Sequence, residues 1–316
     1  MKLPISYGRQ YISDEDIQAV VETLKSDYLT CGPKIPEFEQ AFCEYVNAKY
    51  SVAVCNATAA LHIAAMALGV KPGDNVICTP MTFASSANCI RFCGGNVKFV
   101  DINLQTYLLD IEKLKETLAA SPKGTYKGMV LVDFAGYPHN MEEYRKIADE
   151  YGMWILEDAC HAPGAYFIDS TGEKVYCGCG KYSDITVFSF HPVKHITTGE
   201  GGMACTQNKE YYEKMALYRT HGITHDADKL QRQDGLWYYE MQELGYNYRI
   251  TDIQAALGIS QLKRARKNVE IRRELVKRYN EAFKGIEGIK APHEAADVSH
   301  AYHLYIIQVE DRLGLY

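Results

Sequence analysis

The feature that most constrains the fold is a succession of short apolar runs that do not alternate with polar residues. They are residues 50–56 (YSVAVCN), 75–80 (NVICTP), 96–102 (NVKFVDI), 128–136 (GMVLVDFAG), 153–159 (MWILEDA), 184–191 (DITVFSFH) and 201–207 (GGMACTQ). A strand with one wet face alternates, whereas a run that is apolar throughout is buried on both faces, as in a parallel sheet covered by helices. Helical patterns lie between several of the runs. Residues 57–70 place Leu61, Ala64, Ala65 and Leu68 on one face, and 109–120 and 140–152 repeat the theme. This alternation predicts an α/β fold: a mostly parallel central sheet with flanking crossover helices.

After about Gly245 the pattern turns helical, and residues 250–285 read as one long amphipathic helix with a basic side. Such a side is ordinarily a solvated face. The expected organisation is a large domain over residues 1–250, including an N-terminal segment at the site, then linking helices and the start of a smaller C-terminal α+β domain over 251–316. Residues 300–316 read as one strand and the start of a further element, so the small domain is expected to be incomplete.

The chain has 316 residues, with 34 basic against 40 acidic side chains and a net charge of -6. That balance counts against general affinity for nucleic acid. No apolar run is long enough to span a bilayer, and MKLPISYGRQYISDED at the start has no signal-like apolar core. A cytoplasmic protein without a membrane partner is the expectation. Ten cysteines at irregular spacing inside apolar segments read as small buried hydrophobes. Cys160, His161, Cys177 and Cys179 are a conceivable zinc set, but the single-residue spacing of the last pair fits poorly, and no metal is expected.

In a parallel α/β sheet, ligands bind beyond the carboxyl ends of the strands. Asn56, Ala57 and Thr58 join a strand end to a helix N-terminus, where free amides, the helix dipole and the Thr58 hydroxyl make a phosphate seat, or simply an N-cap. Phe83 follows a strand and a Pro turn, so its ring could stack on a planar cofactor, although core packing is the plainer reading. Asp158 ends a buried strand, where a carboxylate needs a cationic or strongly hydrogen-bonding partner such as a protonated pyridine nitrogen. His161 could contact the same ligand or cap its loop. In VFSFHPVKHITTGEGG, residues 187–202, a strand delivers Ser189 and His191 to the sheet edge, and Lys194 follows. A Walker loop needs its glycines before the lysine, and here they come after it. A lysine desolvated beside such an edge becomes a nucleophile toward carbonyls, including the aldehyde of pyridoxal phosphate (PLP). Anchoring lysine, phosphate cradle, ring-facing acid and stacking aromatic together are what PLP requires.

The segments NATAALH, PMTFASSAN, EDACHAPGA, SFHPVKHITTGEGG and ELGYNYRITDIQAALG resemble the motifs of the DegT/DnrJ/StrS family of sugar-nucleotide aminotransferases, PLP enzymes of fold type I. The likeness runs from about Pro4 to the chain end. It implies that Lys194 forms the Schiff base with PLP and shuttles the proton, and that Asp158 keeps the pyridine nitrogen protonated. Phe83 would stack on the ring, and the backbone at Thr58 and Ala59 with the Ser189 hydroxyl would hold the phosphate. His161 would lie beside the 3-hydroxyl. Asn247 would reach the phosphate from a neighbouring subunit, which makes a homodimer with shared sites the expected partner arrangement. His191 and His195 read as orienting or solvent-facing groups.

The implied reaction is ping-pong transfer of an amino group from L-glutamate, through pyridoxamine phosphate, to a keto sugar. Within the family, WYYEMQELGYNYRITDIQAALG and the lysine segment look closest to members of the pseudaminic acid pathway. The implied acceptor is therefore a UDP-linked 4-keto-6-deoxy N-acetyl sugar. Another nucleotide-linked keto sugar, and a non-catalytic sensor or scaffold that keeps the fold, are the alternatives. Relatives continue past the strand at residues 303–313 with a helix and a His-containing segment, which is a second reason to expect an incomplete small domain.

Overall fold

In a computed structural model, which describes residues 8–232 and 234–315, the apolar runs form a seven-stranded sheet. Pro4, where the resemblance begins, lies outside the described residues. The strands are β1 (Tyr50–Val54), β2 (Asn75–Cys78), β3 (Asn96–Phe99), β4 (Tyr126–Val132) and β5 (Trp154–Asp158). A side hairpin of β6 (Tyr166–Ile168) and β7 (Lys174–Tyr176) precedes β8 (Ile185–Ser189) and β9 (Gly202–Thr206). Sheet order is β1-β9-β8-β5-β4-β2-β3. The pairs from β8 through β5, β4 and β2 to β3 are parallel, while β9 runs antiparallel to β8 and β1. The helices are α1 (Asp14–Leu24), α2 (Lys34–Val46), α3 (Ala57–Ala67), α4 (Ser85–Phe92), α5 (Ile111–Ala119), α6 (Met141–Tyr151), α7 (Lys209–Arg219), α8 (Asp252–Leu262) and α9 (Ala265–Phe283).

The inner strands are buried on both faces, every residue of β8 and β9 among them, whereas the edge strand β3 is largely exposed, so its run does not mark two covered faces. One core, built on Leu61, Ile63, Val130 and Val187, packs α3 and α4 against the sheet. A second, built on Phe38, Phe42, Phe188 and Phe190, seats α2 and α8 on the opposite side of β8 and β9. Alternation of side chains along β8 sends Val187 to the first core and Phe188 to the second.

Two local expectations are revised. Residues 250–285 are two helices, because Arg264 leaves the helical region (φ -110°, ψ 4°) and donates from Nη1 to Asp16 Oδ1 of α1 at 2.9 Å. Thr251 caps α8 in a capping box with Gln254, and Asp252 accepts from the backbone of Gly32 and Lys34 at 2.8 Å each, tying α8 to the start of α2. The strand read at 303–313 is reduced to Gln308–Val309, paired with Ile289–Lys290. The residues before it do something else: Ala301 N–H donates to Gly136 O, and Leu304 N–H to Ala135 O. That pairing lays residues 301–304 across the loop that follows β4.

Candidate active site

The carboxyl ends of β4, β5 and β8 and the N-terminus of α3 surround a cavity of about 620 Å³. Asn56, Ala57, Thr58, Phe83, Asp158, His161, Ser189 and Lys194 line it, together with Cys160 and His303. The parallel order brings these ends to one edge although the residues are far apart in the chain.

At one end is the α3 N-terminus. Asn56 is the N-cap, and Ala59 N–H donates to its Oδ1 at 2.9 Å. The amides of Ala57 and Thr58 precede any intrahelical acceptor, so they and the Thr58 hydroxyl form an anion seat. Ala59 is buried behind them and does not line the cavity. Its amide, expected to contact phosphate, already has a partner in the N-cap. A Cβ on Gly202 would lie 2.6 Å from Asn56 C and O, so this glycine is what lets β9 pass behind the seat. Ser189, at the end of β8, faces the same cavity and is buried.

Asp158 is buried at the end of β5. Ser86 Oγ, from the first turn of α4, donates to its Oδ2 at 2.5 Å, and Cys160 N–H donates to Oδ1 at 3.2 Å. Thr82 Oγ1 lies 2.7 Å from Ser86 Oγ and extends the chain of hydroxyls. Phe83, in the same turn, is 73% exposed and lines the cavity, so its reading as a core residue is set aside.

Lys194 follows β8 in a turn closed by its N–H to His191 O at 2.9 Å. Burial lowers the pKa of its ammonium below the ordinary 10.5, while Cys160 and Asp158 partly oppose that shift. Among the described residues it takes part in none of the ion pairs. A lysine so desolvated gives up its proton more readily than an exposed one. The thiol of Cys160 beside it is pushed well above its usual range by burial and by Asp158.

His161 accepts Ala135 N–H at Nδ1 (3.3 Å), and burial together with Lys194 lowers its pKa to about 3. His191 lines the rim and is exposed, whereas His195 is buried with Nε2 2.9 Å from Ala301 O. Asn247 is exposed and does not line this cavity; its backbone bridges to Thr220 instead. The four residues weighed for zinc divide. Cys160 and His161 line the cavity, whereas Cys177 groups with Asp133 and Glu157, their ligand atoms within 4.8 Å of one another.

The sequence carries no signal for Ser86 or His303 at this site, and Cys160 enters there only as a conceivable zinc ligand. The bond of Ser86 to a residue 72 positions away leaves no periodic pattern, and His303 sits in a stretch that reads as a strand.

A model of the DegT/DnrJ/EryC1/StrS aminotransferase family matches residues 10–314. The chain is 39% identical over 308 residues to the spore coat polysaccharide biosynthesis protein SpsC of Bacillus subtilis, covering 98% of this chain and 76% of that one. It is 41% identical over 280 residues to the UDP-4-amino-4,6-dideoxy-N-acetyl-beta-L-altrosamine transaminase of Campylobacter jejuni, covering 88% and 69% respectively. The structure of Helicobacter pylori PseC, an aminotransferase involved in the biosynthesis of pseudaminic acid, superposes with a TM-score of 0.87 at 30% identity, over 98% of this chain and 79% of that one.

Proposed function

Since the chain belongs to the DegT/DnrJ/EryC1/StrS family of PLP-dependent sugar aminotransferases, we propose that it moves an amino group from L-glutamate to the keto carbon of a nucleotide-linked sugar, with Lys194 as the catalytic amine. The observation that carries this reading is the joint lining of one cavity by a desolvated lysine, a buried strand-end aspartate, an exposed aromatic ring and a helix N-terminus. These residues fit PLP. The seat at Ala57 and Thr58 suits a phosphate, and the Ser189 hydroxyl adds a donor. Phe83 offers a ring face to an aromatic ligand.

PLP supplies the electron sink that makes the donor's α-proton removable. The chain's part is to hold and to move protons. Asp158, oriented by Ser86 and by Cys160 N–H, accepts a hydrogen bond from a protonated ring nitrogen. Lys194 Nζ, whose proton burial makes easier to lose, would be the group that accepts and returns the donor's α-proton. His161, with Nδ1 engaged by Ala135 N–H, presents Nε2–H as a donor for the hydroxyl of the cofactor ring.

We further propose a homodimer in which Asn247 of one subunit completes the site of the other. Its exposure, away from the cavity of its own chain, supports this. The Campylobacter jejuni relative favours a UDP-linked 4-keto-6-deoxy N-acetyl sugar as acceptor. The comparable identity to SpsC favours a second reading, a keto sugar destined for another polysaccharide. Borohydride treatment of the PLP-loaded chain, followed by peptide mapping, tests the catalytic assignment. The label is expected on Lys194 and absent from Lys194→Ala; a label on another lysine removes the proposal. Single-turnover transfer to a panel of nucleotide-linked keto sugars then decides between the acceptors.

A further inference from the structure

Three imidazoles stand in contact behind Lys194. The His303 ring lies 4.3 Å from that of His161 at 31°, and 5.8 Å from that of His195. His161 is covered on another side by Phe134, at 5.9 Å. His303 arrives on a segment with no regular structure of its own, and three devices hold that segment in place. The loop after β4 pairs with it through Ala301 N–H to Gly136 O and Leu304 N–H to Ala135 O. Gly136, at φ +98°, admits it: a Cβ there would lie 3.1 Å from His303 N, 3.0 Å from Tyr302 N and 2.7 Å from His161 O. From α9, Arg272 donates to Tyr302 O at 3.0 Å and Arg273 to His300 O at 3.0 Å.

We propose that His303 is a positioning residue for the active site: its ring, stacked on His161, fixes the His161 imidazole as a neutral Nε2–H donor at the wall of the cofactor cavity. The orientation follows from Ala135 N–H, which His161 Nδ1 accepts at 3.3 Å, so that a neutral ring must carry its proton on Nε2. Neutrality follows from the surroundings. Facing the pair are Lys194 and His195 from the turn after β8, and Arg272 from α9, all of them cations or potential cations; His300 and Arg273 stand one layer further back, against His195. A proton added to either stacked ring meets burial and like charge together, and both are held well below their ordinary range. His303 Nδ1 is buried without a hydrogen-bond partner, and its ring meets that of His161 at 4.3 Å between centroids and a tilt of 31°. Arg272 and Arg273 thus act on the site through the segment they clamp.

This inference rests on the PLP reading for its purpose but can be tested without the cofactor. In the 316-residue chain labelled with 15N-histidine, with His161 assigned through His161→Gln, the ring of His161 is expected to remain the neutral Nε2–H tautomer from pH 8 to about pH 5, because its pKa is lowered to about 3. In His303→Ala the same ring should titrate closer to the ordinary 6.5, and PLP affinity should fall about tenfold, the scale of one aromatic stack. His303→Phe, which keeps a ring face and loses both nitrogens, should restore the lowered titration of His161 and most of the affinity. It also judges the idea should His303→Ala not fold. A His161 ring that is charged at pH 6 in the parent chain overturns the proposal, as does a folded His303→Phe with the affinity of the alanine variant. If borohydride fails to fix PLP on Lys194, the functional reading falls while the His161 titration still decides the stack.

Discussion

At the scale of single residues, the carboxylate of Asp158 depends on a partner from another element. Ser86 Oγ meets Oδ2 at 2.5 Å, and the hydroxyl is itself oriented by Thr82. A hydrogen bond to a charged group is worth about 1.5–3 kcal/mol, so Ser86→Ala is expected to weaken PLP binding by roughly ten- to a hundredfold. An absorbance titration measures this, and unchanged affinity would remove Ser86 from the account. The places of Lys194 and Asp158 at the cavity could be read from the sequence because each combines a telling side chain with a nearby strand end, whereas the ring of Phe83 read more plainly as core. Ser86 and His303 could not. A serine in a helix and a histidine in an apolar stretch carry no pattern of their own, and their partners are set only by tertiary packing.

Among elements, the close passage of β9 behind the start of α3 shapes the anion seat. Gly202 is buried there, and the atoms a Cβ would strike, Asn56 C and O at 2.6 Å and Ala57 N at 2.7 Å, are backbone. Overpacking of this kind costs about 1–3 kcal/mol. Gly202→Ala should therefore lower the denaturation midpoint and, by displacing the seat, weaken competition by inorganic phosphate for the PLP site. Parent-like values of both would contradict the role given to this contact. The inner strands were legible because burial on both faces forces a continuous apolar run, and α3 was legible through its one-sided repeat; β3 shows the same kind of run at an exposed edge. The join between α8 and α9 was not. The amphipathic pattern continues across Lys263 and Arg264, and what ends the helix is the ion pair of Arg264 with Asp16 in α1, about 250 residues away in sequence (|i−j| = 248).

For the whole molecule, burial of ionisable groups in neutral form should govern the response to pH. His139, His195 and His300 each have a pKa of about 3 in the folded chain against an ordinary 6.5, because burial opposes charging. The unfolded chain takes up their protons first. Stability present above pH 6.5 is thus lost as pH falls toward 3, by about 1.4 kcal/mol per unit for each group. Asp133 and Glu157 act in the opposite sense. Burial, with repulsion from Asp158 on Asp133 and from Asp133 on Glu157, raises them from 3.8 and 4.5 to about 7 and about 8, so their contribution is lost as pH rises through those values. His161 and His303 are lowered in the same way, so below pH 6.5 the histidines outweigh the two carboxyls and leave a maximum near pH 6.5 with a decline on either side. Urea midpoints across pH 5 to 9 test this; Glu157→Gln should flatten the decline between pH 6.5 and 8 and steepen the rise below 6.5, and a midpoint that keeps rising above pH 8 would contradict the assignment. Among the described residues, no helix is long and apolar enough to cross a membrane. The overall α/β plan was legible because an apolar run buried on both faces leaves few other arrangements. The crossing of residues 301–304 over the loop after β4 was not, since its hydrogen bonds join main-chain groups that every sequence carries.

The central claim is that Lys194 and Asp158 serve a bound PLP in moving an amino group. Its most direct measurement adds L-glutamate alone to the PLP-loaded chain and follows both the visible spectrum and the keto acid released. The account predicts that the visible band of bound PLP is lost with one equivalent of 2-oxoglutarate formed per site, and that Asp158→Asn slows this step by about a hundredfold or more. An unchanged band with no keto acid formed, in protein that binds PLP at Lys194, would contradict it.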